Sequence, residues 1–572
     1  MQSSIGRRLY LSRNKRSPNQ HLTPNTQHPP HKTHDLKPLL AIVAIWLVME
    51  ILINPRGNFP LNDDWWYARA LGCLVNEHKL IFPYGVTMTL VSQLVWGALF
   101  CKIFGASFHA LRASTAVLGL IGILATYGLL REMRVSRTFA LLGAMVIAVN
   151  PWYVELSNTF MTDVPFFAFA MLSIFFYVRA IRRDSIAYVV AGTLFACIAV
   201  LTRQIGIMLP ISFAAACLVK NGFRPRTLMG ALLPVITVVG LLFAYQKWLS
   251  AADRMPLYYS VQSRAGMAYL TSGPMKMIGG LASVIETALV YVGLFLFPIL
   301  LVTLPKKDSP SPKLWRINLA ASALLFLGLM ASLIIHGEWM PLKKQFGNIL
   351  IDFGMGPATL YDVFPLRLSH LPTAPKALWE IVTVIGAAGA ALLFRQILQA
   401  IETAFTDRDS RWRVVLWLSA AMLAIGPIVL LSGFGYFDRY FLILLPLLMP
   451  IALLNAKLSK NRALTGAALA VIIIFGVFSV GATHDYFAWN RARWQAYGDL
   501  VGKHKVPVTS VHGGYECNGW LAYTDKPNWE TAIRAFYALA FGPIPGYREI
   551  ARYPFHRWMP PGEGEILVLK RL

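Results

Sequence analysis

The segment Val86–Gly105 (VTMTLVSQLVWGALFCKIFG) is apolar enough to pass for a membrane span, and whether it crosses decides the topology of the whole chain. A span needs roughly 20 mostly apolar residues, and this segment has that length. Six later linkers carry clustered positive charge: Arg131, Arg134 and Arg137; Arg179, Arg182 and Arg183; Lys220, Arg224 and Arg226; Lys306, Lys307, Lys313 and Arg316; Arg395, Arg408, Arg411 and Arg413; Lys457, Lys460 and Arg462. Cytoplasmic loops hold the excess of Lys and Arg. If Val86–Gly105 crossed, the basic N-terminal tail would face away from all six clusters. The segment is therefore read as an outer juxtamembrane or re-entrant helix, and the Asn54–Ala110 loop and everything after Ala482 are external.

Working outward, about 13 apolar segments read as spans: Leu39–Ile53, Leu111–Leu130, Thr138–Val154, Val164–Ala180, Ile186–Leu201, Gln204–Val219, Leu228–Gln246, Gly279–Thr303, Ile317–Ile335, Ala377–Phe394, Val414–Leu431, Tyr440–Leu454 and Ala463–Ala482. The chain of 572 residues is 56% hydrophobic and 14% charged, which excludes a string of soluble domains. The fold class is an all-α polytopic membrane protein with external juxtamembrane helices and a small C-terminal α/β domain. Residues 1–36 read as a disordered basic cytoplasmic tail, 37–482 as the membrane module and 483–572 as the external domain. In the last of these, His484–Leu500 has the pattern of an amphipathic helix. Val506–Val511 and Ile566–Leu569 read as strands, with a turn at Gly513–Gly514.

A net charge of +25 raises the question of nucleic acid. The positive residues, however, sit beside apolar segments rather than along one polar face, which fits membrane orientation and anionic headgroups. Membrane lipids are the expected partners, with no nucleic acid. His21, His28, His31 and His34 belong to the tail and are read as solvated. Five cysteines make no disulfide framework; Cys73 and Cys517 share the outer side, so a single bridge between them is compatible with the topology.

Polar residues that could carry chemistry gather on that outer side. Asn62-Asp63-Asp64-Trp65-Trp66-Tyr67 follows the first span. Two adjacent carboxylates near a membrane repel each other and lose solvation, so one should have a raised pKa unless a cation offsets it. Tyr67 shares their helical face, which suits a general base with a positioning hydroxyl. The competing reading is a capped surface helix with an aromatic anchor. Asp163, in Met161-Thr162-Asp163-Val164-Pro165, opens the fourth span, where an N-cap is the plain alternative. Arg112 opens the second span, Arg203 interrupts a long apolar run, and Asp438-Arg439-Tyr440 precedes the twelfth span. Charges at that depth call for partners. Lys343, Lys344 and Arg367 sit in a large outer loop. Absent are a GxxxxGK[ST] loop, HExxH and a GxSxG elbow. Acids and arginines on one outer face suggest a lipid-linked phosphate substrate, whose leaving group needs guanidinium neutralisation. No ligand spacing demands a metal, although a divalent cation between Asp63 or Asp64 and Asp163 is compatible with it.

These landmarks resemble the membrane glycosyltransferases of the GT-C fold, close to protein O-mannosyltransferases and lipid A aminoarabinose transferases. The resemblance runs from about Leu36 to Lys220 and returns at Asp438-Arg439-Tyr440 through Pro446 and Pro450. It rests on Asp63, Asp64 and Tyr67, on Leu111-Arg112, on Asn150-Pro151 and on Met161-Thr162-Asp163 in that order. It implies a polyprenyl-phosphate sugar donor, inverting transfer to a lipid, glycan or protein acceptor, and an outer-face site. Asp63 would be the base and Asp64 its catalytic neighbour. Asp163 would orient a substrate, and Tyr67, Arg112, Arg203, Arg439 and Tyr440 would bind the donor. A bacterial inner membrane, with the N-terminus cytoplasmic and the C-terminus periplasmic, is the implied location. Two departures stand out. The acidic pair is Asp-Asp where Asp-Glu is usual, and a Pro-Pro-Leu element is replaced by Phe82-Pro83-Tyr84-Gly85, which puts a donor role for Lys79 in question. His512 and Glu516 fall outside the resemblance and read as folding residues. The alternatives are a flippase for lipid-linked saccharide, for which an inverted repeat is missing, and a non-catalytic glycan-assembly protein.

Overall fold

A computed structural model describes residues 35–303, 312–343, 345–368, 370–433, 435–453, 459, 461–524 and 529–572. Nearly all of the tail, with its four histidines, and Lys306, Lys307, Lys344, Lys457 and Lys460 lie outside these residues. The membrane module begins with α1 (Leu36–Ile53), α2 (Asp64–Glu77), α3 (Val91–Phe104) and α4 (Phe108–Glu132). Next are α5 (Arg137–Ala148), α6 (Pro151–Ser157), α7 (Asp163–Arg183), α8 (Ile186–Val200) and α9 (Met208–Asn221). Then come α10 (Pro225–Ala251), α11 (Leu257–Leu270), α12 (Pro274–Val302), α13 (Pro312–His336), α14 (Lys376–Thr406), α15 (Arg408–Leu431) and α16 (Leu444–Leu453). The helix α17 (Arg462–Gly498) leads to α18 (Tyr515–Ala522).

Among the described residues, ten helices are long and apolar enough to cross a membrane, or eleven if α5 and α6, bent by 61° at Asn150-Pro151, count as one span. The chain is an integral multi-pass membrane protein. The two remaining expected spans correspond to α8 and α16, of 15 and 10 residues. The described part of α16 ends at Leu453, and every described residue of it is buried in the protein. At 14 residues, α3 reaches roughly 21 Å, short of a hydrocarbon core. It packs on α2 and α4 while Val95, Leu99, Ile103 and Phe104 stay exposed.

Three elements differ from the sequence reading. Of the expected strand Val506–Val511 only Val511 is strand, and Val508–Ser510 form a 3-10 turn. The helix α11 was not anticipated, because its apolar residues alternate with Gln262, Ser263 and Arg264 and give no span signal. The amphipathic stretch after Ala482 is not a separate helix. It continues the last span as one 37-residue helix, α17, about 55 Å long. Around its C-terminal half fold β3 (Val511–His512), β4 (Tyr537–Ala540), β5 (Tyr547–Trp558) and β6 (Pro561–Arg571), ordered β3-β4-β6-β5. The β3–β4 pair is parallel and the others antiparallel. Asp485 of α17 holds the β5–β6 hairpin by accepting from the amides of Trp558 and Met559 at 2.8 and 2.7 Å. A small hairpin, β1 (Leu350–Ile351) with β2 (Gly354–Met355), lies in the outer loop before α14. Cys73 and Cys517 are not joined by a disulfide.

The helices α12 and α14 meet across Gly293, Gly386 and Gly389. A Cβ at Gly293 would press on the backbone of Ala390 and Gly386, and one at Gly389 on the Gly293 carbonyl. Backbone cannot yield as a flexible side chain can, so this seam depends on small residues. Gly293→Val is expected to lower the thermal unfolding midpoint in detergent, by overpacking of about 1–3 kcal/mol; an unchanged midpoint would show that the helices separate freely there.

Candidate active site

The N-terminal ends of α2 and α7, the break between α8 and α9 and the loop before α16 converge on Arg439. Chain geometry sets this residue before its side chain does any work. The turn Asp438–Phe441 is 3-10, and the Asp438 carboxylate accepts from the amides of Ile349 and Leu350, each at 2.9 Å, from Arg439 N at 2.7 Å and from Trp152 Nε1 at 3.0 Å. Asp438 is thus a structural pin, tying the β1 strand and α6 to the backbone of its neighbour. The Arg439 guanidinium donates to the Gly347 carbonyl and lies 4.3 Å above the Phe437 ring. Its remaining edges face two carboxylates: NH2 is 3.5 Å from Asp63 Oδ2, and Nε is 3.9 Å from Asp163 Oδ2.

Asp163 is the first residue of α7 rather than its cap; Thr162 stands at the cap position and makes no side-chain cap bond. The carboxylate forms an ion pair with Arg203, which the break between α8 and α9 delivers. That break explains why a charge interrupts so apolar a run: Arg203 sits in an extended turn with its partner in reach. The Tyr440 ring lies 5.3 Å from the Arg203 guanidinium and 5.7 Å from that of Arg439. Asp63 occupies the cap position of α2 and likewise makes no cap bond. It accepts from the Tyr515 hydroxyl at 3.0 Å, and Tyr67 is buried beside it on the same helix.

The two adjacent acids have different settings. Asp63 is partly exposed, at 27% of its side chain; burial raises its pKa, and Arg439 and the Tyr515 hydrogen bond oppose that rise. Asp64 is wholly buried and accepts from the amides of Phe160 at 2.8 Å and Leu61 at 3.3 Å, clamping the first outer loop to the turn before α7. Burial, opposed by Arg112 and the Phe160 and Leu61 amides, lifts its carboxyl from 3.8 to about 8. One acid of the pair is therefore available to solvent beside a cation, and the other is a neutralised strut.

Beyond Asp163, Arg203 and Arg439 a cavity of about 430 Å³ opens between α7, α10, α11 and α15. Phe166, Leu242, Met267, Pro427 and Leu431 give it apolar walls, and Gln246, Tyr259, Gln262 and Ser263 line it as polar groups. A charged end on an apolar chamber suits an amphipathic anion. Arg112 stands apart: its guanidinium donates to the carbonyls of Pro55 (3.3 Å), Gly57 (2.6 Å) and Phe59, folding the first outer loop. Lys79 pairs weakly with Glu77 at 3.9 Å on the surface, and Lys343 pairs with Glu338 at 2.8 Å. Glu516 is buried against Arg493 at 2.7 Å. His512 is packed on Tyr361, and burial lowers its pKa to about 4. Among the described residues no group of three or more His, Cys, Asp or Glu side chains could hold a metal, and a guanidinium stands between Asp63 and Asp163. Sequence reasoning missed Tyr515, Phe437 and the Gly347 carbonyl. Only the adjacency of Tyr515 to Glu516 offered a signal, and it was too generic to use.

Two outcomes test this architecture. Asp438→Ala leaves several buried donors unpaired, each worth about 1–3 kcal/mol, and should lower the unfolding midpoint sharply; a midpoint within a degree of the parent would remove the pin. Because folding raises the Asp64 pKa above its ordinary 3.8, its stabilisation is complete in acid and fades as pH climbs from about 4 through 8. The parent should lose more stability between pH 6 and 9 than Asp64→Asn does; parallel curves in thermal scans would contradict the assignment.

Residues 94–248 match the family model described as dolichyl-phosphate-mannose-protein mannosyltransferase. Among solved structures, the chain is similar to an oligosaccharyltransferase of Archaeoglobus fulgidus in the apo form, at 15% identity and a TM-score of 0.43, covering 82% of this chain and 58% of that one. It is also similar to ArnT of Cupriavidus metallidurans bound to undecaprenyl phosphate (13%, TM-score 0.39, 93% and 97%). A third is the S. cerevisiae protein O-mannosyltransferase Pmt1-Pmt2 complex bound to the sugar donor (14%, TM-score 0.31, 39% and 34%). The chain thus spans less than two thirds of the archaeal and yeast proteins. No curated protein sequence matches it. Residues 94–248, from α3 into α10, are thus similar to that mannosyltransferase family.

Proposed function

We propose that this protein transfers a sugar from a polyprenyl-phosphate donor to a lipid, glycan or protein acceptor on the outer face of a bacterial inner membrane. The observation that carries the reading is the meeting of Asp63, Asp163, Arg203 and Arg439, from four distant stretches, where the last three line a largely apolar chamber. The family match supports the reaction class. The six basic linkers support the orientation, with the N-terminus cytoplasmic and the C-terminus external.

In this reading the lipid phosphate lies against Arg203 and Arg439, and the polyprenyl chain follows the apolar walls. The acceptor oxygen attacks the anomeric carbon from the side of Asp63, which takes the acceptor proton. The bond from the anomeric carbon to the phosphate oxygen breaks, its electron pair passes to that oxygen, and the two guanidinium groups neutralise the charge that develops. Asp163 keeps both arginines aimed. Tyr67 and Tyr440 border the same charges and shape the space for the sugar.

Asp63→Asn in purified protein should cut sugar transfer by at least about a hundredfold, the usual worth of a general base, with its unfolding midpoint retained. Transfer within a fewfold of the parent would remove Asp63 as base. Release of polyprenyl phosphate by the parent, measured in the same assay, separates transfer from movement of an intact lipid-linked saccharide. The latter outcome favours a flippase.

A further inference from the structure

We propose that Tyr515, supplied by the external domain, is a positioning residue that holds the Asp63 carboxylate in its working orientation and charge state through a two-step hydrogen-bond chain starting at Trp66. This rests on the reading of Asp63 as the base and assigns the external domain a part in the site. A tyrosine hydroxyl has one proton to give. Trp66 Nε1 donates to the Tyr515 oxygen at 2.9 Å, which occupies an acceptor position and leaves the Tyr515 proton for Asp63 Oδ1 at 3.0 Å. An indole donates only, so the direction of the chain is fixed: Trp66 to Tyr515 to Asp63. Asp63 Oδ2 faces Arg439. One carboxylate oxygen is thereby held by a neutral donor and the other by a cation.

The helix carrying Tyr515 is not free to drift. Glu516, beside it, accepts from Asn62 N at 3.1 Å and from the Thr359 hydroxyl at 2.5 Å, and pairs with Arg493 of α17 at 2.7 Å, with both side chains fully buried. Asn62 precedes Asp63, so one residue of α18 holds the backbone next to the base while its neighbour holds the side chain. Gly514 has φ +94° and its Cβ would meet the Thr359 carbonyl at 2.8 Å, and a Cβ at Gly519 would enter the Trp65 indole. Glycine at 514 lets α18 begin close on the Thr359 carbonyl, and glycine at 519 lets it lie against Trp65 of α2. The charged and titratable groups around Asp63 are Asp64 and Tyr67 from its own helix, Asp163 from α7, Arg439, and Tyr515 and Glu516 from α18. Asp163 and Glu516 disfavour the Asp63 anion, and Arg439 and Tyr515 favour it. Removing the Tyr515 hydroxyl subtracts one of two favourable contacts, and the acid should then hold its proton to higher pH.

The test compares the full-length parent, Tyr515→Phe and Trp66→Phe in sugar-transfer assays across pH. For Tyr515→Phe, kcat should fall roughly tenfold, the worth of one hydrogen bond to a charged group, with the donor KM within about twofold. The acid limb of the kcat profile should move to higher pH. Trp66→Phe, which frees the hydroxyl to rotate, should move the limb the same way by less, and it decides the matter if Tyr515→Phe does not fold. An acid limb unmoved in the folded variants, or a loss confined to KM, overturns the proposal. A second readout does not depend on transfer: the infrared carboxyl band lost in Asp63→Asn should titrate at higher pH in Tyr515→Phe than in the parent. Titration at the same pH would refute the positioning role, whereas a shifted band in a chain without transfer activity would uphold it and sink only the enzymatic reading.

Discussion

A buried guanidinium shared between two carboxylates organises this protein. Arg439 and Asp163 are both almost fully buried in a membrane protein, where an uncompensated charge is expensive. Each is tolerable only with the other present, and Asp163 also needs Arg203. The surrounding fold serves to keep these groups together. Asp438 fixes the backbone of Arg439, the Gly347 carbonyl and the Phe437 ring take up its remaining faces, and the break between α8 and α9 brings Arg203 to α7. A cluster so dependent on mutual compensation leaves one opening for a further anion: the cavity side, where both arginines face an apolar chamber.

The same constraint blurs the line between the long apolar helices and the C-terminal sheet. A single helix, α17, runs from an apolar, span-length stretch into the contacts with that sheet. The Arg493–Glu516 pair, buried at its C-terminal half, reaches the backbone beside Asp63. The site is therefore assembled from both ends of the chain. A division at residue 482, natural in the hydropathy pattern, cuts through a continuous helix and separates Asp63 from a hydrogen-bond donor.

Much of this was legible in the residues. Hydropathy and linker charge found the helices and kept α3 out of the span count, because lipid imposes a strong and local requirement on composition. The acids and arginines stood out for a related reason: charges at that depth are rarely idle. What could not be read were features set by three-dimensional closure. Apolarity did not reveal that the described residues of α16 are all buried, nor that α5 and α6 bend at Asn150-Pro151. Arg112 carried the same signal as Arg203, yet the fold uses it to gather three backbone carbonyls. Asp64 looked equivalent to Asp63, and only burial separates a strut from a solvent-reachable acid. Tyr515 lies 452 residues from the aspartate it contacts, and no local pattern encodes such a pairing.

The central claim is that Arg203 and Arg439 form the phosphate end of a chamber for a lipid chain. The most direct measurement is binding of undecaprenyl phosphate to the purified protein, followed by the phosphorus-31 resonance of the lipid, in the parent and in Arg203→Gln. A shifted resonance that saturates in the parent and weakens at least tenfold in the folded variant is the expected result. Equal binding by both would contradict it, and would mean that the converging charges serve the fold alone.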